Sequence, residues 1–204
     1  MVRQTTAPAD CAPYLHIITV RGTCAVYGQD NFAGLVPDIQ ARISGVNAIG
    51  LPYPANGDPA RCPASYENSV NQGTTLLTQY IRDYASSCPK SKIGLIGYSQ
   101  GAQVVMDTLC GTTEQPGRFT PTNPLPDNLA SRISVAAVVA DTTYIDGQGY
   151  DVGTAKNNGR NGVRDAPKGM KLLDTLTRLT RDSAAAETSR LARSISAGCS
   201  LGVR

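Results

Sequence analysis

Histidine is nearly missing from this chain of 204 residues; His16 is the single one. The six cysteines, Cys11, Cys24, Cys62, Cys88, Cys110 and Cys199, form no C-x-x-C pair. Zinc sites are read from such pairs, so no metal is expected. Neither a phosphate-cradling glycine loop nor a dinucleotide fingerprint occurs, and no cofactor is expected. No run of 18 apolar residues exists, which removes a membrane-spanning helix from consideration. The formal charge of +3 is small and evenly spread, and nucleic acid is not an expected partner. Met1 to Ala12 is polar and lacks the apolar core of a secretory signal.

What is there points elsewhere. The length suits one domain, burying roughly 70% of its unfolded surface. Six cysteines in a chain poor in lysine and histidine fit an oxidising compartment better than the cytosol. An extracellular protein is therefore expected, with its signal trimmed or its start misplaced. The cysteines allow about 15 full pairings, among which spacing does not choose.

Short apolar runs at Tyr14–Val20, Val46–Tyr53, Lys92–Tyr98 and Ile133–Ala140 read as strands. Helical spacing runs from Leu76 to Ser87, closed by Cys88-Pro89, and again over Gln100–Leu109. Gly111 to Asp127, rich in Pro, Gly and Thr, reads as a loop. Strands alternating with helices predict a mostly parallel sheet covered on both faces. In such sheets the working residues stand beyond the carboxyl ends of the strands. Ser99, Asp141 and the loop after Val20 all fall there.

Ser99 is the most informative of these. Gly97-Tyr98-Ser99-Gln100-Gly101 follows an apolar strand and opens a helix, the setting in which Gly-x-Ser-x-Gly exposes a serine on a strained turn. Small residues at 97 and 101 let strand and helix approach closely around the bend. The backbone N–H of Gln100, at the helix start, can donate to a developing oxyanion.

The composition changes from Leu176 to Arg204. These 29 residues hold five Arg, five Ser and five Ala, and no Tyr, Phe, Pro, His, Asn, Gln or Lys. The change marks either a solvated helix and tail or a segment read from another frame.

Several stretches in order carry a family resemblance: Cys11 to Thr23, which ends in Arg-Gly-Thr; Tyr53-Pro54-Ala55; Ser65 to Gly73; Cys88-Pro89; and the Ser99 pentapeptide. Over about residues 11 to 165 the chain resembles the cutinase and acetylxylan esterase family, secreted serine esterases without a lid domain. Tyr-Pro-Ala and Ser-Tyr-x-x-Ser-Val-x-x-Gly lean towards the acetylxylan esterase branch. The resemblance implies a cutinase-like α/β-hydrolase, a three-layer α/β/α sandwich with a mostly parallel central sheet. It implies an esterase domain over 11–175 and a divergent tail over 176–204. It further implies Ser99 as nucleophile, Gln100 (backbone N–H) and Thr23 (hydroxyl) as the oxyanion hole, and a Cys11–Cys88 disulfide. The expected substrate is a plant cell-wall polysaccharide or polyester, acetylated xylan first, acted on by a monomer. Other Gly-x-Ser-x-Gly hydrolases need neither the Arg-Gly-Thr loop nor this cysteine pair.

The family completes its triad with an aspartate in a disulfide-closed loop and a histidine about a dozen residues later. Neither motif is present here. His16 precedes the serine in an apolar run and reads as a packed core residue. Asp141, Asp174 and Asp182 lie downstream of Ser99 without a histidine to serve. The catalytic Asp and His thus stay unassigned, and so do the partners of Cys24, Cys62, Cys110 and Cys199.

Overall fold

The four apolar runs are strands. In the computed structural model, which describes residues 10–28, 30–112, 118–146 and 159, they are β1 (Leu15–Val20), β2 (Val46–Gly50), β3 (Lys92–Tyr98) and β4 (Ile133–Val139). They form one sheet in the order β2-β1-β3-β4, and every pairing is parallel. The helices are α1 (Leu35–Arg42), α2 (Tyr66–Ser87), α3 (Gln100–Cys110) and the short α4 (Asp127–Ala130).

Side chains alternate across the sheet, and both sides are packed. Ile18, Val20, Ile93 and Leu95 meet Val70, Leu77 and Ile81 of α2 and Val104 and Val105 of α3. Leu15, Ile17 and Ile96 pack on the other face with Val36 of α1 and with Phe32, in the short turn before it. Central strands buried on both faces carry no polar alternation, which is why they read as continuous apolar runs. The layers are those of the expected α/β/α sandwich.

Besides the short α4, which was not expected, three elements differ from expectation. β2 stops at Gly50, short of Tyr53, because Pro52 and Pro54 offer no N–H to a ladder. α2 begins at Tyr66, ten residues before the helical spacing becomes readable, with the Ser65 hydroxyl capping the Asn68 N–H. Its first turns bury Ser69, Gly73 and Thr74 with Val70 as the one apolar residue among them, so no apolar stripe announces them. α1 was not expected at all; Val36 is its one buried residue.

His16 lies near the amino end of β1, buried, and its ring stacks on Tyr84 with centroids 3.9 Å apart. Its Nδ1 is 2.6 Å from Asn47 Oδ1. Burial lowers its pKa, and the Asn47 hydrogen bond opposes this in part. The unfolded chain therefore binds a proton that the folded chain refuses. Stability from this group is full above the ordinary value of 6.5 and declines as pH falls below it towards the lowered folded value. Thermal melts from pH 7.5 down to 5 will show this decline in the parent chain and a flatter profile in His16→Gln. Parallel profiles would refute it.

Candidate active site

Ser99 leaves β3 with φ 53° and ψ −116°, a conformation unusual for any residue but glycine and costing about 1–3 kcal/mol. Its N–H donates to Val139 O (2.9 Å), tying the turn to the end of β4. Its carbonyl accepts from the N–H groups of Ala102 (3.0 Å) and Gln103 (3.2 Å), which starts α3. Close approach explains the flanking glycines. A Cβ on Gly97 would stand 2.6 Å from Gly101 O. One on Gly101 would stand 2.0 Å from Val20 O, so this glycine serves contact with β1 rather than with β3.

Gln100 follows, fully buried. Its N–H belongs to the first helical turn, where no preceding carbonyl within the helix receives it. Its side chain closes a ring of three hydrogen bonds. Ser69 Oγ donates to Gln100 Oε1 (3.0 Å), Gln100 Nε2 donates to Asn56 O (2.7 Å), and the Asn56 N–H donates to Ser69 Oγ (3.0 Å). The ring fixes the residue that presents the N–H. Ser69→Ala strands a buried acceptor and a partly buried donor, an expected loss of about 1–3 kcal/mol in denaturant unfolding. Acylation of Ser99 should slow as well. An unchanged midpoint and rate would count against the ring.

The loop after β1 stands against this turn. A Cβ on Gly22 would lie 2.8 Å from the Tyr98 ring and 3.4 Å from Ser99 Cβ. Arg21, buried at 5% exposure, holds the loop from within. Its guanidinium donates to the carbonyls of Ala25, Leu51, Tyr53 and Pro54 at 2.5–3.2 Å. Tyr53 returns its hydroxyl to Arg21 O (2.5 Å), and burial raises the phenol's pKa so that the donor stays protonated. Beyond Thr23, which is half-buried, Cys24 is pinned by its N–H to Ala55 O (2.7 Å) and by a disulfide to Cys62. Thr23 thus sits between two anchored residues, Gly22 against the serine turn and Cys24 on its disulfide.

Asp141 follows β4 at the same end of the sheet. Its Oδ1 accepts from both the N–H and the hydroxyl of Thr143, each 2.8 Å away. Burial raises its pKa against those two hydrogen bonds. Beside it, Tyr66 and Thr142 both donate to Gln103 Oε1, at 3.0 and 2.7 Å, linking α2, α3 and the β4 loop.

A cutinase family model matches residues 11–192. The chain belongs to the cutinase family. It is 33% identical to the acetylxylan esterase of Hypocrea jecorina over 158 residues, 76% of this chain and 52% of that protein. It is 31% identical to acetylxylan esterase 2 of Talaromyces purpureogenus over 149 residues, 72% of this chain and 64% of that one. The chain therefore spans about half to two-thirds of the length of these relatives. Among solved structures, the catalytic core domain of acetyl xylan esterase from Trichoderma reesei superposes with a TM-score of 0.68. It is 26% identical, over 94% of this chain and all of that one.

In this member of the cutinase family the structure brings together Ser99, Gln100 and the Thr23 loop, and keeps His16 apart. His16 pairs in register with Ile93, six residues before Ser99, which at ~3.3 Å per residue puts about 20 Å between them. Asp174 and Asp182 lie outside the described residues. Among the described residues no His, Cys, Asp and Glu cluster is arranged to hold a metal. The Cys11–Cys88 disulfide is present, and Cys24–Cys62 is a second. Cys110 ends α3, and Cys199 lies outside the described residues. Two parts of the site escaped the sequence reading: Arg21 as organiser of the loop, and the Ser69 ring. Their signals were an arginine directly after a buried strand and a serine within the Ser65 to Gly73 stretch.

Proposed function

We propose that this chain is a secreted serine esterase cleaving short acyl esters, acetyl groups on xylan first, through an acyl-enzyme on Ser99. The observation that carries the proposal is the strained, half-buried Ser99 turn with the Gln100 N–H opening α3 and Gly22, the residue before Thr23, packed against it. Ser99 Oγ attacks the ester carbonyl carbon as its proton passes to a base. The carbonyl oxygen, now negative, takes hydrogen bonds from the Gln100 N–H and the Thr23 hydroxyl. The tetrahedral intermediate collapses, the alcohol leaves with a proton, and water then frees the carboxylic acid from Ser99. Preset donors need no reorganisation as the charge forms, which is why such a pair lowers the barrier. Relatives named acetylxylan esterase support the choice of acetyl groups. We assign the esterase domain to 11–175 and the divergent tail to 176–204, and take the working form as a monomer.

A serine hydroxyl is a weak nucleophile without a base to take its proton. With no histidine near Ser99, turnover should fall to the residual level of a triad lacking one member, about 10³–10⁴-fold over water. The test is hydrolysis of p-nitrophenyl acetate by this chain and by Ser99→Ala, with mass spectrometry after an alkyl phosphonate. Expected are slow turnover that disappears in the variant and a single adduct on Ser99. Equal rates with no adduct would sink the proposal.

The position of His16 favours a second reading, a catalytically silent relative that binds wall polymer. Retention on xylan without ester cleavage would support it. A polyester substrate is the other substrate to assay, since Cutinase 11 of Verticillium dahliae is 31% identical over 149 residues.

A further inference from the structure

We propose that the groove between the segment after β2 and the outer side of α2 binds a neutral glycan chain, at a place separate from Ser99. The groove is open, about 680 Å³ in volume, within the range of ligand sites. Pro52, Tyr53 and Pro54 form one wall; Asn71, Gln72, Thr75, Leu76 and Gln79 stand on the other.

The lining decides the ligand class. No charged side chain contributes, so an ionic ligand meets no counter-charge. Thr75 is already bonded to Asn71 O, and the Gln79 amide to Asp83 and Arg82. An apolar polyester stretch would pack on the prolines and Leu76 but would cover the Asn71 and Gln72 amides without bonding them, a desolvation cost of about 1–3 kcal/mol per group. A sugar chain offers C–H faces for the rigid proline rings and hydroxyl edges for the amides, which both donate and accept. Asn71 is already oriented, since its Oδ1 accepts the Thr120 N–H (2.9 Å) and its NH₂ is left as donor. From Asn71 to Gln79 the helix wall runs about 12 Å.

A ring face flanks the same edge. Tyr27 is 65% exposed on the loop tied by Cys24–Cys62, and Gly28 of that loop packs directly on Gly50 at the end of β2. Its phenol is close enough to Tyr80, the neighbour of Gln79, to raise that group's pKa, after the larger effect of burial. β2 and β3 flank β1, so the Pro52 end of the groove and Ser99 share one end of the sheet, two strand spacings or about 10 Å apart. A polymer held in the groove reaches the rim on which the serine stands. The inference does not depend on turnover at Ser99.

Titration with unacetylated xylohexaose and cellohexaose, followed by calorimetry, tests it without any ester present. Saturable binding of at least one hexaose is expected. Tyr27→Ala and Gln72→Ala should each weaken it about 3-fold and the pair together about 10-fold, the size of one or two hydrogen-bond-scale contacts. Should the double variant melt below the parent, Gln72→Ala alone, on the exposed side of α2, provides the comparison. No saturable binding, binding unchanged in the variant that keeps the parent's melting temperature, or saturation by a soluble polyester oligomer instead, overturns the proposal. Phosphonate labelling of Ser99 in parallel separates the two sites. Labelling without glycan binding refutes the groove alone, and glycan binding without labelling refutes the esterase alone.

Discussion

Gly101→Ala will destabilise the protein by about 3 kcal/mol and abolish labelling of Ser99, although alanine is the better helix former by about 1 kcal/mol. The new methyl carbon would stand 2.0 Å from Val20 O and 2.5 Å from Arg21 O. Both are backbone atoms, so no rotamer change relieves the clash. Val20 ends a strand hydrogen-bonded on both sides, and moving it disturbs the ladders to β2 and β3 together. Overpacking usually costs about 1–3 kcal/mol, and a clash with fixed backbone belongs at the upper end or beyond. For a domain of this size that lowers the melting temperature by about 6–12 °C. The same displacement moves the Arg21-Gly22-Thr23 loop away from Ser99. Gly34→Ala is the control, since a Cβ there meets nothing within 4 Å. It should shift the melt by less than about 1 kcal/mol, the scale of a helix-cap exchange. Equal melts for the two variants would disprove the close packing of α3 on β1.

The turn around Ser99 was legible because its signals are local: an apolar strand, two glycines and a helix within fifteen residues. The parallel sheet was legible for a similar reason, since strands buried on both faces are apolar throughout. What escaped lies in contacts between distant residues. Ser69, Gln100 and Asn56 form one ring, yet nothing in the spacing of a serine, a glutamine and a backbone amide announces it. The first half of α2 was hidden because Val70 is the one apolar residue buried there among Ser69, Gly73 and Thr74, small groups suited to close packing rather than to apolarity. A Cβ on Gly73 would meet Val104 at 2.8 Å, which explains a glycine mid-helix despite its poor propensity. Gly101 was read as part of the serine bend, whereas its absent side chain makes room for a neighbouring strand. Arg21 shows the same limit: one guanidinium gathers four carbonyls from two loops, and only the fold brings them within reach.

The two disulfides should separate stability from chemistry. Cys11–Cys88 closes 77 residues and Cys24–Cys62 closes 38. In the chain-entropy account these loops correspond to about 4.5 and 3.9 kcal/mol, and measured losses run at about 2–4 kcal/mol. Cys88 is buried at the end of α2, where its N–H donates to Tyr84 O (2.8 Å). Across the bridge, the Ala12 N–H donates to the Tyr84 hydroxyl (2.8 Å), and Ala12 O accepts from Ser91 Oγ (2.5 Å). All of this lies at the amino ends of β1 and β3, the far end of the sheet from Ser99. Cys11→Ser with Cys88→Ser should therefore cost about 3 kcal/mol, roughly 6–12 °C in melting temperature, with the rate of phosphonate labelling unchanged at a temperature where both forms are folded. Cys24–Cys62 lies at the other end and anchors the residue after Thr23. Cys24→Ser with Cys62→Ser should lose less stability, because the shorter loop restrains the unfolded chain less, but should slow labelling at least tenfold as the Thr23 hydroxyl loses its fixed place. That is the scale of about 1.4 kcal/mol of lost oxyanion stabilisation. Equal labelling rates in the two double variants would mean that Thr23 contributes nothing to the oxyanion hole, and that the Gln100 N–H acts alone.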